Sequence, residues 1–146
     1  MASAASTRLG VVHRLDKDTS GLMVFARTAH AKRALATQFR EHTIDRVYHA
    51  IAHGVIAATR VECRLETGRQ HQIRIHLSEL GHPLVGERVY IRDYAGLKIE
   101  AMRPMLHART LGFVHPRTAE RVLFDREPPA DFQATIDSLR PPASRG

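Results

Sequence analysis

Residues 13–28, His13-Arg14-Leu15-Asp16-Lys17-Asp18-Thr19-Ser20-Gly21-Leu22-Met23-Val24-Phe25-Ala26-Arg27-Thr28, carry three local instructions in succession. The first nine residues are mostly charged or small and end on glycine, the composition of a loop, with Asp16 at its centre. Leu22 to Phe25 is a short apolar run suited to a buried strand. From Thr28 to Glu41 the apolar positions Ala31, Leu35 and Phe39 recur every four residues, the stripe of an amphipathic helix. A loop built round a carboxylate therefore feeds a strand, and the strand feeds a helix.

Downstream, Ile44 to His53 alternates, with Ile44, Arg46 and Tyr48 on one side and Asp45, Val47 and His49 on the other, before Gly54. Thr59 to Leu65 alternates again, with Val61, Cys63 and Leu65 together, so both segments are predicted strands. Thr67-Gly68-Arg69-Gln70 fits a capping box, and Ile73, Leu77 and Leu80 follow at i, i+4 and i+7, which predicts a helix of about ten residues ending at Gly81. A long connection through Pro83 and Gly86 reaches Met102. Thr110 to Val114 and Arg121 to Phe124 then read as a strand pair turned at His115-Pro116-Arg117. Phe132, Ile136 and Leu139 mark a closing helix over Asp131 to Leu139. The expected class is α+β, a mostly antiparallel mixed sheet with about three helices. Residues 1–8 read as a loose leader, 9–140 as the domain and 141–146 as a tail.

The chain has 146 residues and a net charge of +7, and 43% of its residues are hydrophobic. That suits one small domain, and a chain of this size buries roughly 68–70% of its unfolded surface without staples. Cys63 is the only cysteine, no secretory leader is legible, and no apolar run approaches the roughly 18 residues of a membrane span, so the cytoplasm is the expected compartment. Residues 1–60 hold nine basic against four acidic side chains, and 19 of the 22 cations are arginine, the planar donor suited to phosphates and bases. Ten histidines invite a metal reading, but His71 and His76 stand five apart with Arg74 between them, which is not the spacing of a helical ligand pair. No nucleophile elbow, phosphate loop or dinucleotide fingerprint occurs. No metal site is expected from these residues.

The segment from His13 to Thr28 resembles the signature of the RluA-type pseudouridine synthases, and three further stretches match that family in order. They are Arg46-Val47-Tyr48-His49-Ala50, then Leu65 to Leu77 with Gly81-His82-Pro83-Leu84-Val85-Gly86, then Leu106-His107-Ala108 through His115-Pro116. Together they span roughly residues 9–134. The resemblance implies conversion of uridine to pseudouridine in ribosomal or transfer RNA, by breaking the glycosidic bond, turning the detached uracil and rejoining it through carbon 5, with no cofactor. It also implies that Asp16 is the catalytic aspartate, Tyr48 the active-site tyrosine and Arg74 the basic partner of the aspartate.

Elementary chemistry agrees with those roles. Positive charge develops on the sugar as the bond breaks, and an ionised carboxylate can stabilise it, attack it or take a neighbouring proton; attack on the base remains an equal alternative. A guanidinium beside that carboxylate favours its charged form and fixes its rotamer. Tyr48 is placed to stack on the uracil and help remove the carbon 5 proton. A structured RNA must extrude its uridine first, and Arg14 is a candidate to fill the vacated place or to hold a phosphate. His13, Lys17, Arg69 and His71 are candidate RNA contacts.

Measured against the family pattern, only twelve residues precede His13 and only 13 separate Gly54 from Gly68. The resemblance therefore implies a synthase-like core truncated at its N-terminus, shortened between about 55 and 60, and lacking part of the usual sheet. Open sheet edges would favour self-association. The alternative function is a non-catalytic remnant that binds structured RNA.

Overall fold

The longest alternating run in the sequence becomes the middle of the sheet. A computed structural model describes residues 8–54 and 59–139, in the order β1 (Gly10–Val11), β2 (Ser20–Gly21), β3 (Phe25–Ala26), α1 (Ala29–Arg40), β4 (Asp45–Ala52), β5 (Thr59–Arg64), α2 (Gln72–Glu79), β6 (Leu106–Val114), β7 (Arg121–Asp125) and α3 (Ala130–Leu139). The expected leader except Arg8, the joint at 55–58 and the tail at 141–146 lie outside the described residues. The main sheet runs β2-β6-β4-β5, with β7 paired to the far end of β6. Every pair in it is antiparallel except the short β2–β6 pair, and β1 and β3 form a separate antiparallel ribbon. The expected α+β class with three helices is what forms.

Strand β4 positions everything else, because side chains on a strand alternate between faces. Leu35 of α1 packs on the Ile44 end of one face, with Leu111 and Phe113 of β6. Ile73 of α2 packs on the Tyr48 and Ala50 end of the same face, with Leu84, Leu106 and Ala108. Two helices thus cover the two ends of one face and leave a gap above Arg46 and Tyr48. On the opposite face Ile51 meets Phe132 of α3, Val85 and Met105, and Ile136 and Leu139 join them at the helical spacing expected. Phe132 is fully buried, and removing a side chain of that size from water contributes roughly 2–3 kcal/mol.

Three local expectations need correction. The apolar run Leu22 to Phe25 is not one strand: Ser20–Gly21 pairs with β6, Phe25–Ala26 pairs with β1, and the residues between cross from one sheet to the other. Leu22 and Val24 are still drawn toward the α1 cluster, so burial rather than strand pairing explains their apolar character. The Thr67–Gln70 capping box does not form either. The helix begins at Gln72, after His71 in a left-handed conformation, and it is Gln72 that accepts bonds from Thr67 Oγ1 (2.9 Å) and Arg69 N (3.0 Å). Residues 67–71 instead wrap past the Arg46 guanidinium, leaving α2 eight residues long. Leu80, expected on the apolar stripe, is the residue after that helix and is 70% exposed.

Gly21 is where β2 can meet β6 in parallel. Its φ is +119°, and a Cβ there would run into the carbonyl and amide of Ala108. Gly21→Ala should therefore lose roughly 2 kcal/mol or more of stability in urea unfolding, from backbone strain plus displacement of β2.

Candidate active site

The gap above β4 is a cleft of about 210 Å³. Arg46, Tyr48 and Leu106 form its floor, Phe39 of α1 one wall, Gly68 to Ile73 the other, and the Val12–Asp16 loop its rim. A bulge sits at this point: Val47 faces Thr110 while Tyr48 faces Ala108, so β6 carries Arg109 as an extra residue. Bulges beside functional sites bend a strand and re-aim its side chains.

Asp16, Tyr48 and Arg74, far apart in sequence, converge here. Asp16 and Tyr48 both line the cleft, and Arg74 Nη1 lies 3.9 Å from Asp16 Oδ2. The tight partner of Arg74 is a residue that sequence reasoning missed. Glu87, whose side chain is 0% exposed, takes Arg74 Nε at 2.8 Å and Nη2 at 2.7 Å, leaving Nη1 to face Asp16. Burial pushes the Glu87 carboxyl up, but the Arg74 hydrogen bond and the amides of Val89 and Tyr90 outweigh it and hold its pKa below the usual range. The same bond raises Arg74 above its ordinary value. The only signal in the sequence was an acidic residue directly after the Gly81–Gly86 motif.

His71 Nε2 is 3.6 Å from Asp16 Oδ1, and its Nδ1 is 2.8 Å from the Tyr90 hydroxyl. The Arg74 guanidinium lies over the Tyr90 ring at 5.2 Å, so Tyr90 braces both neighbours of the aspartate. Asp16 itself sits in a turn closed by Thr19 N on its carbonyl (2.9 Å). The loop is tied down by Arg103, which donates to Asp18 O (2.9 Å) and Ser20 Oγ (3.2 Å) while paired with Asp131 of α3. Tyr48 is 8% exposed, and burial raises its hydroxyl pKa, with Arg46 opposing the rise and Asp16 adding to it. Tyr48 is therefore a neutral phenol at physiological pH.

The remaining candidates divide. Arg14 and Arg69 are exposed and line the cleft, and His71 lines it half-buried. Lys17 is exposed outside the cleft lining. His13 lines the cleft but also serves the fold: Nε2 accepts from Val24 N at 3.0 Å, and the ring stacks on Phe39 at 4.6 Å. Burial, then the charge of Arg46, lowers its pKa to about 4, so it lines the cleft as a neutral ring. Among the described residues no group of three or more His, Cys, Asp or Glu is arranged to hold a metal ion.

Two outcomes follow from this geometry. His13 binds fewer protons folded than unfolded, so its contribution to stability is complete above about pH 6.5 and is lost as pH falls from there toward 4. Urea unfolding at pH 7 and pH 4.5 should show His13→Gln losing about 2 kcal/mol less than wild type over that interval. Glu87→Gln should cost about 3 kcal/mol in the same assay at pH 7, because it leaves the Arg74 charge without its buried partner.

The family described as RNA pseudouridylate synthase matches residues 1–60. The ribosomal large subunit pseudouridine synthase D of Zymomonas mobilis is 39% identical over 90% of this chain and 56% of its own length. Its namesake in Xanthomonas campestris is 34% identical over 97% and 58%, and RNA pseudouridine synthase 2, chloroplastic, of Arabidopsis thaliana is 35% identical over 94% and 48%. The chain thus spans about half the length of these curated relatives. The fold is shared with the human RNA pseudouridylate synthase domain containing 4, at a TM-score of 0.73 and 19% identity over 90% of this chain and 76% of that one. Similarity to the RNA pseudouridylate synthases, of the RluA type these motifs resemble, thus runs through nine-tenths of the chain, on a shared fold.

Proposed function

We propose that this protein isomerises uridine to pseudouridine in structured RNA, by an aspartate-dependent route that uses no metal or cofactor. The observation that carries the reading is the convergence of Asp16 and Tyr48 on one cleft with Arg74 Nη1 3.9 Å from the aspartate. Ribosomal RNA is the first substrate to test, since the bacterial relatives are named for the large ribosomal subunit, and transfer RNA the second. Among the described residues no helix is long and apolar enough to cross a membrane, and the cytoplasm is the proposed compartment.

The target uridine leaves its stack at a cost of a few kcal/mol and enters the cleft. Arg14, exposed on the rim, takes up the vacated space or a flanking phosphate, and Arg69 tracks the backbone on the opposite wall. Asp16, held by Arg74 and His71, meets the sugar as the glycosidic bond breaks. Tyr48 stacks on the base and, as a neutral phenol, hydrogen-bonds a water that takes the carbon 5 proton to solvent, rather than taking it as a phenolate.

Tritium release from carbon-5-labelled uridine in unmodified ribosomal and transfer RNA transcripts tests this directly. Wild type should release tritium, and Asp16→Asn should release none while binding RNA with affinity unchanged within about twofold, since no phosphate contact is lost. RNA binding without release from folded wild type would point to the binding remnant instead.

A further inference from the structure

Arg46 is a cation in an unusual place. It stands on the central strand, is 8% exposed, and lines the floor of the cleft two residues before Tyr48. Among the described residues no carboxylate lies within ion-pairing distance of it. Nη2 donates to Glu66 O at 3.3 Å, the guanidinium lies over the Phe39 ring at 5.4 Å, and Nε is buried with no partner at all. Burial lowers its pKa, and the nearby Tyr48 hydroxyl works against that. Gly68 makes room for it, since a Cβ there would strike Nη1. The contrast with Arg74, saturated by a buried carboxylate, is complete.

A buried cation without a counter-charge costs several kcal/mol, and that cost is tolerated where an anion arrives during function. The reaction makes one. When the bond between the sugar and N1 of uracil breaks, its electron pair leaves with the base and spreads over N1, O2 and O4. Asp16 meets the sugar, so the negative charge on the base needs a separate donor.

We propose that Arg46 is the electrophilic group that binds and neutralises the detached uracil anion, holding it while it turns. This rests on the function proposed above. No co-reactant enters: bond formation from carbon 5 returns the electron pair to the sugar, the carbon 5 proton departs past Tyr48 to solvent, and N1 takes up a proton from solvent, so the product is an isomer of the substrate. The donor acts on charge that appears only after the bond begins to break, which favours the rate over ground-state binding.

Arg46→Met and Arg46→Lys are compared with wild type in single-turnover tritium release, RNA affinity at two salt concentrations, and thermal unfolding. Arg46→Met should slow the bound-state rate about 10²–10³-fold, with RNA affinity unchanged within about twofold, and Arg46→Lys should recover at least about tenfold of that loss. The second measurement needs no turnover: calorimetric binding of 5-nitrouracil, a pyrimidine ionised near neutral pH, against neutral uracil. Wild type should prefer the anionic base, and Arg46→Met should lose that preference. If wild type releases no tritium, the proposed function fails, whereas the base comparison still decides the role of Arg46. Equal binding of both bases by wild type, or a preference that survives in Arg46→Met, overturns the proposal. So does an Arg46→Met that keeps its bound-state rate but loses RNA affinity and about one unit of salt slope, which would make Arg46 a phosphate ligand.

Discussion

The bidentate pair between Arg74 and Glu87 is the interaction on which the site depends. Glu87 is fully out of water and gathers two guanidinium nitrogens and the amides of Arg88, Val89 and Tyr90. A charge so enclosed cannot leave its partner cheaply, so α2 is locked to the connection that follows it. Two nitrogens on one edge of the Arg74 guanidinium are taken up by that lock, and the remaining one, Nη1, is turned toward Asp16. The aspartate thus meets a cation whose position is set from behind.

Around this pair the molecule separates two cationic environments within one small cleft. Arg74 is paired and braced by Tyr90, while Arg46 is buried, stacked and without a carboxylate partner among the described residues, and Tyr48 lies in the fields of both Arg46 and Asp16. Strand β4 makes this possible because Ile44, Arg46, Tyr48 and Ala50 share a face, with α1 packed at one end and α2 at the other. A cleft between two helices on one sheet face needs no large chain to build it. Across the sheet, α3 and the fully buried Phe132 support the same strand through Ile51.

The Asp16 loop is held by polar contacts more than by its own packing. Arg103 binds Asp18 O, Ser20 Oγ and the carbonyls of Pro104 and Leu106, and its pairing with Asp131 joins the loop to α3. His107 adds to this: Nδ1 is 2.9 Å from Ser20 Oγ, and Nε2 is 2.7 Å from the carbonyl of Arg126. Such multiply bonded anchors give a loop the positional precision of the strands beside it.

Much of this was legible in the chain because it is local. The stripe Ala31, Leu35, Phe39 specifies α1, the alternation from Ile44 specifies β4, and Phe132, Ile136 and Leu139 specify α3, since each follows from a fixed period of 3.6 or 2 residues. The residue types suited to the chemistry, Asp16, Tyr48 and Arg74, were readable from motifs whose order matched a family. What the sequence could not express is partnership across distance. Nothing near Arg74 announces Glu87 as its partner, nothing near Thr67 shows that Gly68 must give way to Arg46, and the run Leu22 to Phe25 does not reveal that it crosses between two sheets. The sequence by itself determined most of the elements and the candidate reactive groups, because those depend on neighbours along the chain. Tertiary structure alone decided which cation is paired, which is left unpaired, and where the cleft opens, because those depend on packing between segments tens of residues apart.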